Sequence, residues 1–308
     1  MYDKSNIHPD FRKIPQTGIP FDSRRLAWIN SILKLLNAFK RRTFAGSVTK
    51  QKIVGLDGNK IPVTFIKPAG LPPHSPALVY CHGGAFVLSY APQHIENSIR
   101  YAQEANCCVI FVDYRLAPRH HFPRGFDDCY AALLWAFNNA DVLGIDKQRI
   151  AVGGDSAGGA LAASIAQKAA HENGIALCAQ LLIYPVTDMD CKTSSSTVYA
   201  DTQPFKAISL RAMWNAYLGG APGNATYASP IHGNLSALAS AYIETAEFDP
   251  LHDEGIAYAN ALTANGVAVV LNETKGTVHG YDLLAANSEF SRNLVAQRIH
   301  YLRKIFAV

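Results

Sequence analysis

Arg149-Ile-Ala-Val-Gly-Gly-Asp-Ser-Ala-Gly-Gly159 reads as a short apolar strand, Arg149–Gly153, running straight into a serine bracketed by Gly154 and Gly158. An alanine-rich helical stretch, 157–170, leaves the same turn. A strand that ends in a tight turn and opens a helix is the repeating unit of α/β proteins. Glycines suit such a turn because it is strained and crowded, and side chains on either side of the serine would collide.

Working outward, the same alternation continues from about residue 50. Gln51–Leu56 and Ile61–Ile66 flank Asp57-Gly58, which suits a hairpin. Short apolar strands are expected at Ala77–Tyr80, Cys107–Val112, Ala179–Ile183, Ala241–Ala246 and Val267–Leu271. Helical patterns separate them: Ile95, Ile99 and Ala102 on one face, a helix opened by Pro123 through Trp135 and Phe137, and another around Glu254–Ala264. A last helix aligns Phe290, Leu294, Ile299, Leu302 and Ile305. Strands buried on both faces and separated by helices predict an α/β fold with a mostly parallel central sheet flanked by helices. In such sheets ligands sit beyond the carboxyl ends of the strands, so a functional residue should follow a strand directly.

Two stretches break the alternation. Residues 1–45 hold an amphipathic helix with Leu26, Ile29, Leu33, Leu36 and Phe39 on one side, and 191–228 hold a Ser/Thr run, then Ile208–Leu218, then a Gly/Pro/Asn-rich exit. Each apolar face needs a cover, so the two are expected to pack together as a cap over the strand ends. The core is then 46–190 and 229–308. The alternatives are a membrane-surface helix for the first stretch and a plain excursion for the second.

Composition narrows the function classes. A chain of 308 residues, 49% hydrophobic and 17% charged, can bury a large core and has no disordered tract. The formal charge of +4 is scattered, and its densest cluster, Lys40-Arg41-Arg42, closes a predicted helix, so nucleic acid is not an expected partner. The six cysteines show no metal-binding spacing and read as free thiols, several of them buried. No apolar stretch follows the first charged residues, and no segment is long enough to span a bilayer. A cytoplasmic, reduced protein without a bound metal is the expectation.

Gly-x-Ser-x-Gly is a weak pattern alone, but between a strand and a helix it forms a nucleophile elbow, with Ser156 lifted out of the sheet. A serine hydroxyl needs a base, and the base needs an orienting acid; in this architecture they follow in the order Ser, Asp or Glu, His. Asp249 follows the strand Ala241–Ala246, and His279 follows Val267–Leu271 on the next loop. Glu247 is a rival nearer the strand, Asp253 reads as a helix cap, and His252 reads as surface polar. After Ala77–Tyr80 comes Cys81-His-Gly-Gly-Ala-Phe86, where N–H groups from Gly83, Gly84 and Ala85 can join that of Ala157 around an oxyanion. His82 is expected to pin this loop. Phe86, Tyr184, Phe205, Trp214 and Tyr217 are candidate pocket walls.

Further runs stand in a recognisable order: His82-Gly-Gly, Val112-Asp-Tyr-Arg-Leu-Ala-Pro118, Gly154-Asp-Ser-Ala-Gly-Gly159, Tyr184-Pro185, Asp249-Pro-Leu251, Asp253-Glu-Gly255 and His279-Gly280. Together, over about residues 50 to 305, they resemble the hormone-sensitive-lipase family of α/β-hydrolases, in particular its bacterial acetyl-esterase-like members. The resemblance implies an α/β-hydrolase core with a helical cap and a carboxylesterase that hydrolyses short-chain acyl esters without metal or organic cofactor. It makes Asp113–Pro118 a structural brace. Family members usually carry a third glycine where this chain has Ala85, and an acidic residue where it has Arg119. The same machinery would serve an amidase, deacetylase or lactonase, and related plant receptors lack a working triad. The amphipathic last helix and the edge strands are compatible with a homodimer.

Overall fold

A computed structural model describes residues 3–14, 18–39, 43–172, 174–202, 204–220 and 227–307. The Lys40-Arg41-Arg42 triplet and most of the Gly/Pro/Asn-rich exit after residue 220 lie outside these residues.

Eight strands form one sheet in the order β1-β2-β4-β3-β5-β6-β7-β8. They are β1 Gly46–Val54, β2 Lys60–Pro68, β3 Ser75–Cys81, β4 Cys108–Val112, β5 Ile145–Asp155, β6 Ala179–Ile183, β7 Ala241–Phe248 and β8 Val269–Val278. β2 runs against β1 and β4, and every other neighbouring pair is parallel. The helices are α1 Ser23–Phe39, α2 Pro92–Glu104, α3 Arg124–Asn138, α4 Ala140–Leu143, α5 Ala157–Glu172, α6 Ser195–Val198, α7 Ile208–Leu218, α8 His252–Ala264, α9 Tyr281–Leu284 and α10 Glu289–Phe306.

β3, β4 and β6 are buried along their whole length because both faces are covered. Ala77, Val79 and Cys81 of β3 join one core with α3 and α5, while Leu78 and Tyr80 join a second core with α2 and α10. Each large aliphatic or aromatic side chain buried this way contributes about 1.5–3 kcal/mol. β3 lies between β4 and β5, so the chain leaves it toward opposite edges, and the carboxyl ends of β3 and β5 border the crevice at this switch point. Ser156 and the Gly83–Phe86 loop sit there.

Three details differ from the sequence reading. β8 runs on to Val278, so His279 begins the loop directly after the strand. Charged and polar residues such as Glu273 and Lys275 obscure that extension in the sequence, because the strand has one exposed edge. Second, α1 buries the expected face only in part, with Ile29 and Leu33 half-buried. Leu26 is buried, but Leu36 and Phe39 are exposed, because Asn30 and Asn37 turn inward to hydrogen-bond Val87, Ser89 and Tyr90. Third, His252 is largely covered rather than a surface side chain, with Nδ1 2.9 Å from Asp253 and Nε2 3.5 Å from Glu273.

The cysteines carry no disulfide among the described residues, and Cys81, Cys107, Cys108 and Cys129 are buried. Among those residues no helix is long and apolar enough to cross a membrane.

Candidate active site

The turn at Ser156 is left-handed, with φ of 54°, a conformation that costs a non-glycine residue roughly 1–2 kcal/mol. Hydrogen bonds hold it there: Ser156 N–H donates to Ile183 C=O at 2.8 Å, and Val186 N–H donates to Ser156 C=O at 3.1 Å. The flanking glycines answer to packing as well as to strain. A Cβ at Gly158 would run into the Cys81 carbonyl, and one at Gly154 into the Gly158 carbonyl. These contacts press β5 and α5 against the end of β3 and bring the two loops of the site together.

From Ser156 a hydrogen-bonded chain runs inward. His279 Nε2 lies 2.9 Å from Ser156 Oγ, and His279 Nδ1 lies 2.6 Å from Asp249 Oδ2. The other Asp249 oxygen accepts from Leu251 N–H at 3.0 Å, and this carboxylate is fully buried. With Nδ1–H donated to Asp249, Nε2 is free to accept the serine proton. Glu247, the rival acid, instead accepts from Gly276 N–H at 2.7 Å and steadies the turn ahead of His279. Asp253 accepts from Ser195 N–H at 2.8 Å and ties α6 to the start of α8.

The four candidate oxyanion donors are not equivalent. Gly83 N–H is already committed to Asp155 Oδ1 at 3.1 Å, which removes it from the set. Among the described residues none accepts a hydrogen bond from Gly84, Ala85 or Ala157 N–H. Gly84, Ala85 and Phe86 all take positive φ, at 122°, 53° and 62°. Ala117 N–H donates to Phe86 C=O at 2.9 Å, and Tyr114 O–H donates to His82 C=O at 2.7 Å. Arg115, in the same run, grips Asp128 and reaches Asp57 at the β1–β2 turn. His82 Nδ1 meets Gly83 C=O at 2.7 Å, and its ring stacks on Tyr114 with centroids 4.4 Å apart. Burial and the facing His94 hold its pKa down at about 3, so it is neutral at working pH.

Phe205 lies 5.1 Å from the His279 ring and Tyr184 4.8 Å from it, centroid to centroid. Phe86 stacks on Tyr217 at 3.8 Å, with Trp214 5.9 Å away. The structure thus brings Phe205 and Tyr184 against His279, and Trp214 and Tyr217 against Phe86 at the end of the Gly83–Phe86 loop, although the Tyr184 hydroxyl points away to Asp282.

Sequence reasoning missed the support beneath. Asp155 receives Tyr80 O–H at 2.9 Å and faces His94 Nε2 at 3.2 Å. Its position inside the quoted motif was a usable signal; nothing local marks His94 as its partner. Burial by itself would lower His94, but the charge and hydrogen bond of Asp155, with the Asp282 charge and the Ala91 carbonyl, together outweigh it and raise the ring above its ordinary value of 6.5. Burial would raise Asp155, but the His94 charge and the hydrogen bonds from His94 and Tyr80 hold it down at about 2. The His94 contribution is fully present below its unfolded pKa and is lost as pH rises through the raised folded value. The Asp155 contribution is present above its unfolded pKa and is lost only as pH falls through about 2. A His94→Asn variant should therefore fall furthest below the parent in stability at about pH 5–6, with the gap narrowing toward about pH 9. Urea midpoints across that range check this, and a constant gap would rule out the ion pair.

A family model described as α/β hydrolase fold matches residues 78–283. The carboxylesterase NlhH of Mycobacterium tuberculosis is 41% identical over 246 residues, covering 75% of each chain. The ethyl acetate hydrolase of Pseudomonas putida is 38% identical over 231 residues, covering 73% of this chain and 72% of that one. Among solved structures, a bacterial heroin esterase superposes with a TM-score of 0.90 at 32% identity over 98% of both chains. Esterase LipW from Mycobacterium marinum does so at 0.91 and 31%, over 98% of this chain and 97% of its own. A family match over residues 78–283, which contain Ser156, Asp249 and His279, together with a carboxylesterase relative at 41% identity, means that the chain belongs to the hormone-sensitive-lipase family of α/β-hydrolases.

Proposed function

We propose that this protein is a carboxylesterase that cleaves short-chain acyl esters through an acyl-enzyme on Ser156. The observation that carries the reading is the unbroken chain from Ser156 Oγ through His279 to Asp249, set beside three N–H groups from which none of the described residues accepts a hydrogen bond. His279 takes the serine proton as Oγ attacks the carbonyl carbon, and Asp249 holds the imidazole tautomer and balances its positive charge. Gly84, Ala85 and Ala157 N–H groups receive the oxyanion, and each such donor lowers the barrier by about 3–4 kcal/mol. The protonated His279 hands its proton to the departing alcohol. Water, deprotonated by the same ring, then releases the acid and restores the serine. The names of the relatives, a carboxylesterase and an ethyl acetate hydrolase, support the ester as the bond cleaved.

Residues 1–45 and 191–228 serve as the cap in this reading. Phe205 beside His279, and Trp214 and Tyr217 against Phe86, support a short acyl pocket closed by aromatic rings. On p-nitrophenyl esters, kcat/KM should peak between about C2 and C4 and decline past roughly C6 to C8, because the buried rings leave a longer chain unaccommodated. A maximum on long-chain emulsions would refute the short-ester assignment. A fluorophosphonate probe should label Ser156 in the same preparation.

Ala85 should govern the alcohol side. Its methyl group stands at the oxyanion loop, 2% exposed. Space for one methyl in a pocket is worth about 1–3 kcal/mol, so Ala85→Gly should raise kcat/KM for tert-butyl acetate relative to ethyl acetate by about tenfold or more. Its stability should stay within about 1 kcal/mol of the parent, because relief of positive φ offsets the extra unfolded-state entropy of glycine. An unchanged ratio would place the alcohol elsewhere.

A further inference from the structure

α1 has two unlike faces. Its inner side carries Leu26 with Asn30 and Asn37, whose amides clip the helix to Val87, Ser89 and Tyr90. On the opposite side Trp28, Leu35, Leu36 and Phe39 are 68, 57, 50 and 76% exposed. Spacings of seven, eight and eleven residues from Trp28 put the other three on its side of the helix. One exposed apolar residue is ordinary; four on a single helical face make a patch that marks an interaction surface.

The charge around the patch says what it fits. From Ser23 to Leu56 the sequence has eight Lys and Arg residues and no Asp or Glu. Arg24, Arg25 and Lys34 stand on α1, and Lys50 and Lys52 on β1. Arg24 and Arg25, four and three residues before Trp28, stand on its side of the helix, and Lys40-Arg41-Arg42 follow Phe39 in the sequence, while Lys34 and Lys50 act on the charge of Asp113 instead. Asp22, just before the helix, sits 3.5 Å from Arg25. A second copy of the chain would bring two cationic faces together in any two-fold pairing, which like charges oppose. An uncharged apolar partner would strip water from the cations and return nothing.

We propose that the outer face of α1 docks the protein on an anionic lipid surface, the helix lying in the interface with Trp28 and Phe39 among the acyl chains and its cations among the headgroups. No span is involved. The inner-face amides join the docked helix to the segment that follows the oxyanion loop, so this side of the catalytic crevice would face the membrane. The inference goes beyond ester hydrolysis and does not depend on it.

The test is co-sedimentation of the full chain with phosphatidylcholine vesicles, with and without about 30 mol % phosphatidylglycerol. Binding should be at least about tenfold stronger to the anionic vesicles and should weaken severalfold in about 0.5 M NaCl. A Trp28→Ser/Phe39→Ser double variant and, separately, an Arg24→Glu/Arg25→Glu double variant should each bind at least about tenfold more weakly. Both should keep the parent's unfolding midpoint and its turnover of soluble p-nitrophenyl acetate. Absent binding, equal binding to neutral vesicles, or unchanged binding by either variant would overturn the proposal. So would a serine variant that turns a dimer into a monomer in sedimentation velocity while leaving vesicle binding intact, since a second copy would then be what covers the face.

Discussion

Ser156→Ala is expected to fold as the parent does and to lose hydrolysis of p-nitrophenyl acetate by about 10⁴- to 10⁶-fold, the scale on which removing a triad nucleophile acts. The substitution removes only Oγ. The left-handed turn is held by backbone hydrogen bonds to Ile183 and Val186, which an alanine keeps. His279→Ala should be as damaging, because the groups work as one unit and Oγ without its base is a poor nucleophile. His252→Ala should retain most activity, since that ring pairs with Asp253 and Glu273 rather than with Ser156 or Asp249. Initial rates at matched unfolding midpoints check all three. Retention of more than about one per cent of activity by the serine variant would remove Ser156 from the mechanism.

Arg298→Met is expected to cost about 3–5 kcal/mol of stability, the penalty for leaving a buried charge without its partner. Arg298, on α10, is fully buried and donates to both Glu244 oxygens on β7 and to Asp282 on α9. Tyr281 O–H donates to Glu244 at 2.6 Å, and Tyr184 O–H and Asn97 donate to Asp282. Without the guanidinium, two carboxylates would remain in the core with only neutral donors. Arg298→Lys should recover part of the loss, because an ammonium restores the charge but not the planar fork that grips Glu244. Guanidinium unfolding midpoints measure both variants, and a loss under about 1 kcal/mol for methionine would show that the network is not held by this residue. The consequence reaches the site: Asp282 lies three residues after His279, and Tyr184 packs its ring against the His279 imidazole. Both are anchored by the same cation, so kcat should fall in Arg298→Lys even at temperatures where it remains folded.

Much of this molecule is legible in its residues taken in order. The α/β alternation, the strand before Ser156, the helix after it, and the sequence order of Ser156, Asp249 and His279 follow from periodicity and from what each turn demands locally. Boundaries slipped where a strand lost its apolar cover, as at Glu273 and Lys275 of β8. The family resemblance added the short-chain ester, and the matched family model agrees with the core it spans.

Other features belong to the tertiary structure alone. Whether Gly83 offers its N–H to a substrate depends on Asp155, 72 residues away. That Arg298 is interior depends on Glu244 and Asp282 meeting it from two other elements. That Trp28 and Phe39 face outward depends on Asn30 and Asn37 finding carbonyl and amide partners beyond the oxyanion loop. The physical reason is common to all three. Hydrophobic periodicity and turn chemistry act over a few residues and are written along the chain, so they determine the elements and the order of the reacting groups. A hydrogen-bond donor has one partner at a time, and a buried charge needs a particular counter-charge. Those choices are made only when distant segments are brought within about 3 Å of each other.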